Sequence, residues 1–468
     1  MTSATLPASF TSEGFESWLA QQSEPDWLTD LRRAAWSEFE QMKWPDRGQE
    51  EWMRSDLRPF KLLRYPLPGG TPIGSSASPQ DSAAQAAGNL GQSDGTSVGR
   101  REGASGEGTI PQWLSEGLEL AGQVETRDGL VVKSHLSQQW RDKGVIFGDL
   151  SQLAGEHEEL VRTALFSVVD PHQDRFAALH AATWSGGQLL YVPRGVSLTQ
   201  PVHVLNGITE GGTDTGHTLI ILDEGAEATF LHEADSAIGA SGGFHCGSVE
   251  IIVKPNAHLR YVNLQDWGRG VWHIAHQRAT IDRNATIQWT IAAMGGRFVQ
   301  VSQQVALIGK GAHSQVNGVM FTQDSQHLTY NTLQHHIAPQ CRSDFLYKAA
   351  LQDQSRTVWR GMIQVDKAAQ KTDGYQRNDN LLLSQQSRAD SIPGLEILAD
   401  DVRCTHGSTS GRVDEELIFY AQSRGFTRKE AVRLIVTGFF QQIFDRITID
   451  SVREALGQSI ARQVREYQ

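Results

Sequence analysis

Ala285-Thr286-Ile287-Gln288-Trp289-Thr290-Ile291 alternates apolar and polar side chains along its length. Side chains of an extended chain point to opposite faces in turn, so this alternation marks a strand with one buried and one wetter face. Similar runs lie on either side, at Thr218 to Leu222, Val249 to Val253 and Val316 to Phe321. Between the runs a small-residue corner returns: Gly225-Ala226, Asn256-Ala257, Asn284-Ala285 and Gly311-Ala312, at intervals of 31, 28 and 27 residues. An interval of that length holds about two strands and a longer connection. Near-regular recurrence suggests stacked units that bury a core only together. Two architectures fit. Each corner could be a hairpin in a sandwich or barrel, but a tight primed turn wants Asn-Gly or Gly at positive φ, and Asn-Ala suits it poorly. In the other, the chain turns a corner and continues as a solenoid, where closely stacked rungs favour small residues. The pattern favours the solenoid, a β-helix organised around the stretch from Gly216 to Ser384.

Length and composition set the bounds. A chain of 468 residues should hold more than one domain. Hydrophobic residues make up 39%, with 12 Trp, enough for a sizeable core. The net charge of −12 argues against a nucleic-acid binder, which needs a basic face to displace counterions. The three cysteines, Cys246, Cys341 and Cys404, form no C-x-x-C pair and are too few for a disulfide framework. A reducing, cytoplasmic compartment is expected, since Met1 to Phe10 holds no apolar secretory core. No run reaches the ~20 apolar residues of a membrane span, so no membrane insertion is expected.

Taken in order, residues 1–68 read as an N-terminal helical region. Residues 12 to 44 look helical, with Ser23-Glu24-Pro25-Asp26 as a start signal and Trp27, Leu31, Ala35 and Phe39 four apart on one face. Residues 69–109 read as a flexible Gly/Ser-rich linker, too poor in large apolar residues to offset its ordering entropy. Residues 110–180 form a mixed α/β lead-in, with a strand near Val145-Ile146-Phe147 and a helical pattern from Glu156 to Ser167. Residues 181–412 are the β-helix core, entered through Pro193-Arg194-Gly195. Residues 413–468 turn helical, with a capping box at Thr427 and Glu430. Ala431, Leu434, Ile435, Gly438, Phe439 and Ile443 then make one stripe at helical spacing. Such a stripe ordinarily packs back on its own core; at the end of a closed solenoid it also makes a docking surface.

Candidate chemistry is sparse. Sixteen histidines invite a metal reading, but His335 and His336 are adjacent and cannot both ligate from a regular strand. His273 and His276 are the other close pair. No H-E-x-x-H, phosphate-binding loop or hydrolase elbow is present. One pair stands apart. Asp400-Asp401-Val402-Arg403-Cys404-Thr405-His406-Gly407 sets Cys404 and His406 two apart, on the same face of a strand. Thiolate and imidazole together suit iron, zinc or Cu(I), though two ligands do not close a tetrahedral site. By default Cys404 would be a small buried hydrophobe and His406 a structural hydrogen-bonder.

The runs Asn380-Leu381-Leu382-Leu383-Ser384, Pro393-Gly394-Leu395-Glu396-Ile397, Asp400 to Gly407 and Phe419-Tyr420-Ala421-Gln422-Ser423-Arg424-Gly425-Phe426 resemble the SufB/SufD family of iron–sulfur cluster assembly scaffolds. Gln370-Lys371-Thr372-Asp373-Gly374-Tyr375-Gln376 fits too, as do Glu24 to Leu28 and Arg54 to Pro59. The resemblance covers most of the chain except the linker. Within the family the chain is most like SufD: Gly407 stands where SufB-type chains usually carry an acid, and the midchain cysteine cluster of many SufB chains is absent.

The resemblance implies a right-handed parallel β-helix with helical flanks. It implies a non-catalytic scaffold in a complex with a SufB-like paralogue and a SufC-like ABC-type ATPase, the latter docking on the C-terminal helices at Leu434, Ile435 and Phe439. It points to His406, with Cys404, as a place for transient iron or a nascent cluster shared with the partner; no tightly bound cofactor is expected on the chain alone. Two other readings stand beside it. A SufB-like, cluster-holding scaffold would homodimerise and retain a reconstituted cluster when purified alone. A β-helix enzyme acting on polysaccharide would need acids and bases at fixed rung spacing, and no such pair stands out.

Overall fold

The small corner residues are where the chain repeatedly changes direction. In the computed structural model, which describes residues 9–70, 112–237, 240 and 242–464, the middle of the chain winds as a parallel β-solenoid of about eight turns. Each turn gives one strand to each of two sheets. The first sheet runs through Val202–Ile208, Glu227–Ser236, His258–Asp266, Thr286–Ala293, His313–Thr322, Arg342–Leu351, Asp373–Leu382 and Arg403–Arg412. The facing sheet runs through Gln188–Val192, His217–Leu222, Gly242–Val253, Gly270–Ile281, Phe298–Leu307, His327–His336, Arg356–Val365 and Arg388–Ile397. Two strands per corner interval, as the spacing predicts, is what the chain builds.

The corners explain the choice of Asn-Ala. Gly225, Asn256, Asn284 and Gly311 take left-handed φ values of 68°, 60°, 54° and 75°. One left-handed residue is tolerated by Asn, whereas a primed hairpin turn of type I′ would need two. Each of these N–H groups donates to a carbonyl of the next turn: Gly225 to Pro255 at 2.9 Å, Asn256 to Arg283 at 2.9 Å, Asn284 to Lys310 at 3.0 Å and Gly311 to Pro339 at 3.2 Å. The residue that follows, Ala226, Ala257, Ala285 or Ala312, is fully buried. Stacked at the ~4.8 Å spacing of paired strands, this column admits little more than a methyl group. Cys341 takes the next place in it and donates through Sγ to the Gly309 carbonyl at 3.2 Å. Its role is packing.

Inward-facing side chains stack rung on rung. Phe230, Tyr261, Trp289, Val316 and Phe345 occupy one register column of the first sheet, all buried. Ring centroids lie 5.6 Å apart for Phe230 and Tyr261 and 5.3 Å for Tyr261 and Trp289. Alternation puts these residues inside, and parallel register puts like beside like.

The flanks differ in detail from the sequence reading. The expected helix over 12–44 is two helices, Ser12–Leu19 and Asp26–Gln41. Pro25, not Ser23, sits at the second N-cap, with no side-chain cap. The neighbouring Glu24 is engaged elsewhere: its carboxylate accepts from Arg32 Nε at 2.8 Å. Arg32 Nη1 in turn donates to the Trp184 carbonyl at 2.8 Å and the guanidinium lies over the Trp184 ring. This buried ion pair fastens the helix to the solenoid. The helical pattern expected from Glu156 to Ser167 is Leu150–Glu156 followed by Glu158–Ala164. Asp174 caps Arg175–Thr183, accepting from the N–H groups of Phe176 and Ala177. Helices Glu415–Ser423, Arg428–Phe444 and Asp450–Gln463 follow the solenoid, and the predicted capping box of Thr427 and Glu430 is formed. Buried residues of the second of these, Val436 and Phe440, belong to one cluster with Val262, Val319, Phe321 and Leu346 of the first sheet's outer face. Nearly all of the expected linker, residues 71–109, lies outside the described residues. No described helix is long and apolar enough to cross a membrane.

Candidate functional site

The two ends of the solenoid are unlike. At the start, the hairpin Gly122–Arg127 and Leu130–Leu136 extends the first sheet with an antiparallel pair, and Ile146–Asp149 pairs antiparallel with Gln188–Val192. At the other end, Arg403–Arg412 and Arg388–Ile397 are the last strands of their sheets, and no other described strand pairs with their outer edges. Bare parallel edges beside apolar side chains are a template for another chain. Leu395, Ile397 and Leu398 are exposed here, Leu398 at 58%.

Register places the sequence-predicted pair at this end. Gln376 pairs with Phe345 and His406 with Gln376, so His406 is the terminal member of the column that runs through Phe230. Cys404 pairs with Gly374. Both side chains therefore lie on the face of the strand turned toward the bore, as two-residue spacing predicts. Their surroundings differ. Cys404 is half-buried against Ile363, Val365, Ala369 and Ala399. A Cβ on Gly374 would stand 3.2 Å from its Sγ, so Gly374 leaves the thiol its space. Burial pushes the Cys404 thiol above its ordinary pKa, which disfavours the thiolate that binds metals. The His406 side chain is exposed and makes no hydrogen bond among the described residues.

Behind His406 the bore turns polar. Gln376 donates to the carbonyls of Gly394 at 3.0 Å and Gly361 at 3.3 Å. Asn380 Nδ2 donates to Asn378 Oδ1 and Ser391 Oγ at 3.0 Å and to Ser410 Oγ at 3.1 Å. The last turns thus end in amides, hydroxyls and one free imidazole. Nowhere among the described residues do three or more His, Cys, Asp or Glu gather to hold a metal ion. An imidazole with a protonated thiol nearby is an incomplete ligand set.

The remaining histidine pairs separate as their spacing requires. His335 Nε2 meets Asp366 at 3.0 Å, while His336 meets the Ser343 hydroxyl at 2.8 Å. His273 lies against His245 and His276 against Asp174.

A second surface lies on the C-terminal helices. Leu434 is 52% exposed, but Ile435 and Phe439 are half-buried against the solenoid. Lys348 Nζ donates to the Phe439 carbonyl at 2.9 Å and sits 4.8 Å from its ring centre. The stripe read from the sequence therefore mostly packs back on the core, and of its large side chains Leu434 faces outward. Sequence reasoning passed over the larger apolar group beside it: Leu417, Tyr420 and Phe426 are exposed, and Phe419 is 73% exposed. The signal was present in Leu417-Ile418-Phe419-Tyr420, four large apolar residues in succession, more than one face of a helix can bury.

Comparison with known proteins agrees with this architecture. Residues 203–439 match the family described as SUF system FeS cluster assembly, SufBD core domain, and residues 123–204 match the SufBD protein N-terminal region. An iron–sulfur cluster assembly SufBD family protein of Staphylococcus epidermidis is 30% identical over 333 residues, 71% of this chain and 71% of that protein. Proteins of the same description from Staphylococcus saprophyticus and Staphylococcus aureus match to the same extent, 30% over 333 residues and 71% of each chain.

Proposed function

Because this chain belongs to the SufBD family of iron–sulfur cluster assembly proteins, we propose that it serves there as a SufD-type, non-catalytic scaffold whose open solenoid end meets a SufB-like paralogue. The observation that carries this is the unpaired final turn, with bare strand edges, exposed Leu395, Ile397 and Leu398, and an uncommitted imidazole at the mouth of the bore. A partner seated there would pair the edges, cover the leucines and supply the ligands that His406 lacks. Transient iron, or a nascent cluster, would sit between the chains. His406 is the principal contribution from this side. Cys404, held as a thiol in an apolar nest, is secondary. The exposed group of Leu417, Phe419, Tyr420, Phe426 and Leu434 is the surface for a SufC-like ATPase. The compartment is the cytoplasm.

The two surfaces can be tested separately. Leu398→Asp with Ile397→Asp, co-expressed with both partners, should lose the paralogue and keep the ATPase. Retention of a stoichiometric paralogue by the folded double variant would overturn the end-to-end reading. If the wild-type chain, purified alone, held a reconstituted cluster as a homodimer, the SufB-like role would replace the SufD-like one.

A further inference from the structure

The bore of the early turns is not filled with hydrocarbon. A cavity of about 30 Å³ lies there, walled by Gln188, Asp214, His245, Ser248, Gln265 and Gln277 among others. Among the described residues, the buried atoms Gln188 Oε1, Asp214 Oδ2, Gln265 Nε2 and Gln277 Oε1 on this wall have no hydrogen-bond partner. Acceptors outnumber donors. Unpartnered buried polar atoms are rare and costly, so an acceptor-rich enclosure asks for a positively charged or hydrogen-donating guest. The space admits one ion with about one water.

The surrounding hydrogen bonds decide which nitrogen is bare. Asp214, His245 and His273 are register partners on successive turns. The indole N–H of Trp267 can only donate, and it reaches His273 Nδ1 at 3.2 Å, so that nitrogen accepts. His245 Nδ1 lies 2.7 Å from the same nitrogen and must carry the proton between them. The lone pair of neutral His245 is therefore on Nε2, which faces Asp214 Oδ1 across 3.5 Å. With Asp214 ionised, two acceptors point at each other, although Oδ1 also accepts the Gly216 N–H at 3.0 Å. Apart from His245, no basic side chain of the described residues pairs with the buried Asp214 carboxyl. Two ligands each about 2.1 Å from one tetrahedral ion stand about 3.4 Å apart. The imidazole is also oriented through its other nitrogen, as metal-binding histidines are. Gly247 keeps the place open, since a Cβ there would fall 2.7 Å from His245 Nε2. His245 retains 12% of its side-chain surface.

We propose that this cavity is a cation site, in which Asp214 and His245 ligate one divalent ion of the oxygen- and imidazole-binding class, with the amide oxygens of Gln188 and Gln277 on the same wall. No thiolate takes part, which suits manganese, ferrous iron or zinc and disfavours soft metals. The site stands apart from His406 and does not rest on the role given to it.

The experiment uses the full chain carrying His406→Ala, to silence the open end, with Mn²⁺ and Zn²⁺ each as probe. Bound metal is measured by equilibrium dialysis with elemental analysis, and Mn²⁺ also by loss of its aqueous electron paramagnetic resonance signal. One ion per chain is expected. Asp214→Asn should abolish binding yet melt, metal-free, no lower than its parent, because the carboxamide can donate to His245 Nε2. Gly247→Ala should also lose the ion by displacing the imidazole; if that variant fails to fold, Asp214→Asn alone decides. Neither metal bound above background would overturn the proposal in favour of water and a protonated Asp214, and so would undiminished binding by Asp214→Asn.

Discussion

Replacing Phe419 and Leu434 together by Asp should detach a SufC-like ATPase without unfolding the chain. Phe419 is 73% exposed and Leu434 52% exposed, so neither contributes much to the free fold. Substitutions at such positions usually move stability by no more than ~0.5 kcal/mol. Full burial of a Phe or Leu side chain contributes about 1.5–3 kcal/mol. Covering the exposed parts of these two would return about 2–3 kcal/mol to the complex on the same scale. Two carboxylates left without partners in the contact would add a desolvation cost of about 2 kcal/mol or more. A total near 4 kcal/mol is about a thousandfold in Kd. Titration calorimetry of the purified ATPase into each folded chain measures it, with circular dichroism as the folding control. A Kd within threefold of wild type would refute the assignment of this surface. Phe439 is the wrong residue for such a test: it lies half-buried over Lys348, and an acid there would disturb the fold itself.

His406→Ala should leave folding and complex formation intact but lower iron content and cluster maturation, and Cys404→Ala should do less; complementation of a strain lacking the gene, with iron assayed in the purified complex, ranks the two. Trp289→Ala should cost about 3–5 kcal/mol in denaturant unfolding, since it empties a fully buried place in the aromatic column. Burial, the neighbouring Asp266 and then Glu233 push the Asp235 carboxyl up to about 8. The folded chain thus holds a proton that the unfolded chain releases above pH ~4, so stability should fall as pH rises from about 4 to about 8 and then level off. Asp235→Asn should flatten that slope in melting temperatures taken across the range, and an unchanged slope would remove Asp235 as its source.

The solenoid was legible because its constraint is local. A left-handed residue followed by a buried methyl must recur once per turn, and Gly225-Ala226 through Gly311-Ala312 display that requirement directly. The helix start at Ser23 was misread because a distant partner intervened: Arg32 engages Glu24 and docks on the carbonyl of Trp184. Periodicity showed that Arg428–Phe444 is amphipathic, but not that Ile435 and Phe439 would be half-covered and Leu434 left bare. Which side of a stripe is covered depends on the neighbouring surface, and helical spacing carries no information about that. Asp214, His245 and His273 were invisible as a group, since they come together only through strand register.

The unlike ends of the solenoid also set how far assembly can go. A rod with two bare ends would add subunits indefinitely, as heterologous contacts do when they fail to close. Here the starting end closes on antiparallel strands, Leu130–Leu136 and Ile146–Asp149, and the other on parallel ones, so the two ends offer different templates. Two such chains that met through their parallel ends would turn only the antiparallel ends to the solvent, and those do not repeat the contact. The hairpin at Gly122–Leu136, far from His406, is what makes the two ends unlike.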